Sequence, residues 1–85
     1  MNFNIVFRPR AHKHLRKIPL SFSQNILSAI EKFEKEPFPA GKKFKKLRGC
    51  DEYRLRVGDY HIFYIVDFEQ KEIIIRGIFH GHSGY

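Results

Sequence analysis

The stretch Tyr53-Arg54-Leu55-Arg56-Val57-Gly58-Asp59-Tyr60-His61-Ile62-Phe63-Tyr64-Ile65-Val66 limits the fold more than any other part of the chain. Two alternating arms flank a Gly58-Asp59 pair. Glycine at the first turn position permits the positive φ that a tight type II′ turn demands. A two-residue turn fixes the register, so Val57 faces Tyr60, Arg56 faces His61, Leu55 faces Ile62, Arg54 faces Phe63 and Tyr53 faces Tyr64. One face then collects Tyr53, Leu55, Val57, Tyr60, Ile62, Tyr64 and Val66, which can form a core. The other collects Arg54, Arg56 and His61 beside Phe63. Cations beside an aromatic on an open sheet face suit phosphates and bases.

The remaining segments supply cover for the apolar face. Phe3 to Phe7 is a short β-like run that ends before Pro9, a residue suited to the first turn of a helix. Ala11, Leu15 and Ile18 fall at helical spacing over Pro9 to Ile18, and Pro19 ends that helix. Ser21 and Gln24 have the spacing of a capping box for a second helix with a buried stripe of Phe22, Ile26, Ala29, Ile30 and Phe33. Pro37 and Pro39 stop it. Ala40 to Cys50 reads as a basic connector anchored by Phe44 and Leu47. A second turn near Glu69-Gln70 leads into Glu72 to Phe79. If that turn is tight, Ile73, Ile75 and Phe79 join the core, while Arg76 and His80 join Arg54, Arg56 and His61. The tail from His80 to Tyr85 is too short and glycine-rich for another element.

The expected fold is therefore α+β, in the order β-α-α-β-β-β. A two-helix hairpin packs on one face of a mainly antiparallel four-stranded sheet and leaves the other face partly open. Eighty-five residues make a single domain, 1–85, with one core and no room for a deep cleft. Sixteen Lys and Arg against nine Asp and Glu give a net charge of +7, which favours a polyanionic partner. Cys50 is the only cysteine, so no internal disulfide can form, and no Cys/His spacing suggests zinc. No metal or cofactor is expected. The start of the chain offers neither a basic leader nor a long apolar run, so the reading is a cytoplasmic protein without membrane attachment.

Lys46-Leu47-Arg48-Gly49, the hairpin Tyr53 to Tyr64, and Tyr85 five residues after His80 together resemble the RelE/ParE superfamily of type II toxins over nearly the whole chain. The resemblance implies a RelE-like fold, a cognate acidic antitoxin wrapped over the toxin, operator DNA contacted only through the antitoxin complex, and, in the RelE branch, cleavage of mRNA on the ribosome. The family's basic pair on the first hairpin strand falls on Arg54 and Arg56. The arginine that usually follows the hairpin tyrosine is replaced by His61. The late histidine-arginine pair falls on His80 and Gly81, so its arginine is missing, and the terminal tyrosine falls on Tyr85.

Cleavage by the RNA's own 2′-OH requires a base, cations for the phosphorane and an acid for the leaving oxygen. Arginine stays protonated, which suits Arg54 and Arg56 to phosphate clamping and charge stabilisation. Histidine titrates near neutrality, so His61, His80 and His82 are candidate acids or bases. The resemblance gives Tyr85 a place beside them, stacking on a base, orienting the 2′-OH or exchanging a proton. Catalytic candidates are Arg54, Arg56, His61, His80 and Tyr85. Lys42, Lys43, Lys45, Lys46, Arg48, Arg76 and His82 form a general RNA or ribosome contact. Two other readings stay open: a ParE-like inhibitor of DNA gyrase without nuclease chemistry, and a catalytically weak relative acting in antitoxin binding and operon autoregulation.

Overall fold

The computed structural model describes residues 2–47, 49 and 51–81. The chain runs β1 (Asn4–Phe7), α1 (Pro9–Lys17), α2 (Leu20–Lys32), β2 (Phe44–Lys46), β3 (Glu52–Val57), β4 (Tyr60–Asp67) and β5 (Glu72–His80). The sheet order is β1-β5-β4-β3-β2, with β1 parallel to β5 and every other pair antiparallel. The α+β class and the two-helix insertion match the expectation, whereas the sheet has five strands instead of four. The extra strand, β2, comes from the segment read as a basic connector. It pairs Phe44 with Leu55, Lys45 with Arg54 and Lys46 with Tyr53. Three residues with two lysines carry almost no β signal of their own, and β2 exists because β3 offers it a free edge. Its lysines also discourage a further strand from adding there.

The β3–β4 hairpin has the register that its turn dictates, from Val57 opposite Tyr60 to Tyr53 opposite Tyr64. Gly58 has φ +61, while Asp59 is not in the positive-φ region, as a type II′ turn requires. Nothing lies within 4 Å of a Cβ built on Gly58, so a substitution there costs backbone strain alone. Gly58→Ala is expected to lower unfolding free energy by about 1–2 kcal/mol. Urea denaturation should read this as a shift in midpoint at constant slope.

The β4–β5 connection reaches the same register by other means. Asp67 Oδ1 accepts a hydrogen bond from Gln70 N at 3.0 Å, and Lys71 takes φ +57 in the place a glycine would usually fill. Ile73 and Ile75 point into the core as expected. Beyond them the expectation fails. Tyr64 pairs with Ile75 but Phe63 pairs with Gly77, which leaves Arg76 as the extra residue of a β-bulge. The bulge reverses the alternation, so Ile78 is buried and Phe79 turns to the open face against Phe63. His80 falls opposite Tyr60, on the helix-covered side, and not beside Arg54.

The core lies between the helices and the sheet. It joins Phe3, Ala11, Ile26, Ile30 and Phe33 to Ile62, Tyr64, Val66, Ile73, Ile75 and Ile78. Phe33 stacks on Tyr64 at 4.2 Å, and the Tyr64 hydroxyl donates to the Pro37 carbonyl at 2.7 Å. That buried bond fixes where the chain leaves α2. Burial, and next the neighbouring Tyr53, push the Tyr64 phenol far above its ordinary range. α2 differs from its predicted form at its start. Pro19 is the N-cap and the helix begins at Leu20, so Ser21 lies inside the helix and no Ser21–Gln24 capping box forms. Ser23 is buried with its Oγ on Leu20 O, whereas Phe22 is half exposed and leans towards Tyr60.

α1 is held by an unpaired stretch of strand. β1 stops opposite Ile75, and the outer edge of β5 beyond that point meets α1 instead. Arg8 N donates to Ile75 O at 3.0 Å, and Ile78 N donates to His14 Nδ1 at 3.2 Å. An accepting Nδ1 requires a neutral ring with its proton on Nε2. Burial, then Arg10 and Lys17, lower the His14 pKa, in keeping with that role.

Candidate functional site

The open face is ordered by the two ladders. Lys45, Arg54, Phe63 and Gly77 form one row across β2, β3, β4 and β5. Arg56, His61 and Phe79 form the next. Lys45 directly opposite Arg54 is a like-charge pair, an arrangement that costs stability in a sheet. The pair concentrates positive charge on this row, where an anion would relieve the repulsion. Of the four lysines in the connector, the register gives Lys45 this place. Lys46 alternates to the other side opposite Tyr53, and Lys42 and Lys43 precede the strand as exposed residues.

Arg56 is aimed by its backbone surroundings. Its N donates to Lys43 O at 2.9 Å and its Nε donates to Gly58 O at 2.8 Å. The turn that sets the register therefore also orients the guanidinium. Beside it, Arg56, Asp59, His61 and Gly81 line a cavity of about 190 Å³. Gly81 N donates to Asp59 O at 2.7 Å, which ties the end of β5 to the turn and closes one wall. Arg54 Nε and His61 Nδ1 are shielded from solvent within the face.

His61 and Gly81 are linked sterically. A Cβ on Gly81 would stand 2.8 Å from His61 Nε2 and 3.2 Å from Asp59 O. The imidazole thus occupies the space that a side chain at position 81 would need. Burial lowers the His61 pKa first, followed by Arg54, Arg56 and His80. At neutral pH the ring is neutral and can accept a proton. Because the folded pKa lies below the unfolded one, this group's contribution to stability is full above about pH 6.5 and is lost as pH falls from there through the folded value. An NMR titration should give His61 a midpoint below 6.5. Gly81→Ala is expected to move that midpoint upward, because the methyl displaces the ring towards water.

Arg76 reaches the open face but is engaged, with its Nε 3.6 Å from Glu52 Oε2. His80 sits edge-on to Tyr60 at 5.3 Å on the other side of the sheet, close enough for its charge to affect His61. Arg48, His82 and Tyr85 lie outside the described residues. Sequence reasoning missed Asp59 and Gly81 as cavity walls. It also missed Arg10 of α1, whose guanidinium lies 5.0 Å over the Phe79 ring. That last contact is tertiary, and no local pattern announces it. Among the described residues, no group of three or more His, Cys, Asp or Glu is arranged to hold a metal ion, and no helix is long and apolar enough to cross a membrane.

Residues 5–85 match the model of the family described as ParE toxin of type II toxin-antitoxin system, parDE. The chain belongs to the RelE/ParE superfamily of type II toxins. Within this superfamily it is RelE-like. It is 34% identical to the RelE1 protein of Methanocaldococcus jannaschii, over 100% of this chain and 97% of that one. The RelE-RelB complex from Pyrococcus horikoshii OT3 contains a chain with the same fold. The TM-score is 0.85 at 29% identity, covering 98% of this chain and 99% of that chain. The antitoxin-toxin complex RelB-RelE from Methanococcus jannaschii gives a TM-score of 0.73 at 28% identity, covering 92% of each chain.

Proposed function

We propose that this RelE-like toxin is a ribosome-dependent mRNA endonuclease that arrests translation, working on the open face between β3, β4 and the end of β5. The observation that carries this reading is the cavity lined by Arg56, Asp59, His61 and Gly81, in which a neutral imidazole stands beside a fixed cation. Neutral His61 takes the proton of an RNA 2′-OH as the oxygen attacks the adjacent phosphorus. Arg54 and Arg56 stabilise the charge that builds on the phosphorane oxygens. The bond to the 5′-oxygen breaks and that oxygen takes up a proton, leaving a 2′,3′-cyclic phosphate and a 5′-hydroxyl. His82 and Tyr85 are candidates for the donor, whereas His80 lies on the helix-covered side of the sheet, opposite Tyr60. Lys45, with Lys42, Lys43, Lys46 and Arg48, holds the surrounding RNA by charge.

The partner is a cognate acidic antitoxin, as the RelE-RelB complexes of the structural relatives suggest. An acidic, partly disordered chain folding over a +7 domain would cover the Arg54, Arg56 and His61 face and silence it. Operator DNA is met through that complex, and the setting is the cytoplasm. The match to the ParE model supports a second reading, a gyrase inhibitor. Induced expression without antitoxin separates the two. The nuclease reading expects immediate loss of protein synthesis with cut mRNA. DNA damage and filamentous growth with intact mRNA would replace it with the gyrase reading.

A further inference from the structure

A second cationic cavity opens at the other end of the open face. Arg8, Pro9, Arg10 and Arg76 line a space of about 330 Å³. Its three arginines come from three places that the fold brings together: the N-cap of α1, the first turn of α1 and the bulge in β5. The first turn of α1 contains no acidic residue. Glu52 meets Arg76 at 3.6 Å, but the Arg76 side chain is 47% exposed, so the pair is weak and easily exchanged for another anion.

The two cavities are connected through side chains. His61 is paired with Phe79, and the Arg10 guanidinium lies over the Phe79 ring at 5.0 Å. Arg10 then forms a wall of the second cavity. Arg56 shares its row with Phe79, three residues along β5 from Arg76, so the two arginines stand roughly 10 Å apart across the sheet and roughly 10 Å apart along it, and each lines its own cavity.

We propose that the Arg8, Arg10 and Arg76 cavity binds a second backbone phosphate of the same RNA strand whose reacting phosphate lies at Arg56 and His61. The inference rests on the nuclease reading for the identity of that strand. Planar guanidinium groups converging from separate elements fit the oxygens of a phosphodiester. Two anchored phosphates would hold the strand in one direction across β4 and β5, and so orient the 2′-OH between them.

The test measures binding of the full chain to single-stranded oligoribonucleotides with a 2′-deoxy block at the reacting position. A short oligonucleotide fills the His61 cavity alone, and a longer one also reaches Arg76. The longer one is expected to bind about 5- to 10-fold tighter at moderate salt, with a log–log salt slope steeper by about 0.7 for the added phosphate. Arg8→Gln/Arg76→Gln should erase that gain, so that the variant binds the two lengths with equal affinity. Arg8→Lys/Arg76→Lys should retain most of it. The proposal is overturned if wild type shows no gain with length or if the glutamine variant keeps the gain. It is equally overturned if that variant loses only inorganic phosphate, or only an acidic antitoxin, while RNA binding stays the same. Failure of the nuclease reading would appear separately, as uncut ribosome-bound mRNA.

Discussion

Arg56→Ala is expected to lower the rate of mRNA cleavage on the ribosome by about 10²- to 10³-fold, the usual consequence of removing one preorganised donor from a developing oxyanion. Three observations set that size. Arg56 lines the cavity with His61, its Nε is held by Gly58 O at 2.8 Å, and its backbone is fixed by Lys43 O. The charge is thus in place before substrate arrives. Arg56→Lys keeps a positive charge but loses the planar fork and the bond to Gly58 O, so it should recover only part of the rate. Arg56 is exposed on the strand, and removing it leaves no cavity in the core. Thermal unfolding of the alanine variant should stay close to wild type, and single-turnover cleavage should carry the whole effect. The loss should also appear in the rate constant more than in apparent affinity, since the interaction is strongest in the transition state.

Phe33→Ala is expected to have the largest effect on stability, about 3–5 kcal/mol. Phe33 is fully buried, closes α2 onto the sheet and stacks on Tyr64. Its removal leaves a void against a ring whose hydroxyl is pinned to Pro37 O and cannot slide into the space. For a domain of this size the loss corresponds to roughly 15–30 °C in Tm, a large part of a typical stability. Tyr64→Phe should cost less, about 1–3 kcal/mol, because it keeps the packing and strands only the Pro37 carbonyl. Calorimetry on both variants ranks packing against hydrogen bonding in this core. An equal cost for the two would mean that the Tyr64–Pro37 bond matters as much as the aromatic stack.

The hairpin was legible because two independent signals agreed. Alternation gave the two faces, and Gly58-Asp59 gave the register, so every cross-strand pair from Val57–Tyr60 to Tyr53–Tyr64 follows from the sequence. The second hairpin lacked that agreement. Its segment places isoleucine or phenylalanine in both phases, at Ile73, Ile75 and Phe79 as well as Ile74 and Ile78. Hydrophobicity therefore could not reveal the bulge at Arg76 that sends Ile78 inward and Phe79 outward. β2 escaped notice for a different reason. A three-residue, lysine-rich edge strand is created by its neighbour and not by its own propensity. The same limit explains α2, where Pro19 sets the helix start and buries Ser23 in place of Phe22.

The site was legible in part. Arg54, Arg56 and His61 share the open face as the register predicts. Lys45 joins them only through β2, and Arg10 only through the packing of α1 against β5. The replacement of family arginines by His61 and Gly81 looked like two separate departures in the sequence. In the fold they meet, because the imidazole fills the volume that glycine leaves open. On the proposed reading, that exchange puts a neutral base where a fixed charge would otherwise stand.

The central claim is that this face cleaves mRNA held by the ribosome, with His61 moving the proton and Arg56 bearing the charge. The most direct measurement incubates the purified chain with ribosomes carrying a defined mRNA and sequences the RNA ends, over a range of pH. The account predicts new 5′-hydroxyl ends at ribosome-covered positions, and a rate that falls on the acid side with a midpoint below 6.5. That acid limb should vanish in His61→Ala, and the ends should become scarce in Arg56→Ala. Intact mRNA with wild type, or the same ends at the same rate with both variants, would contradict it.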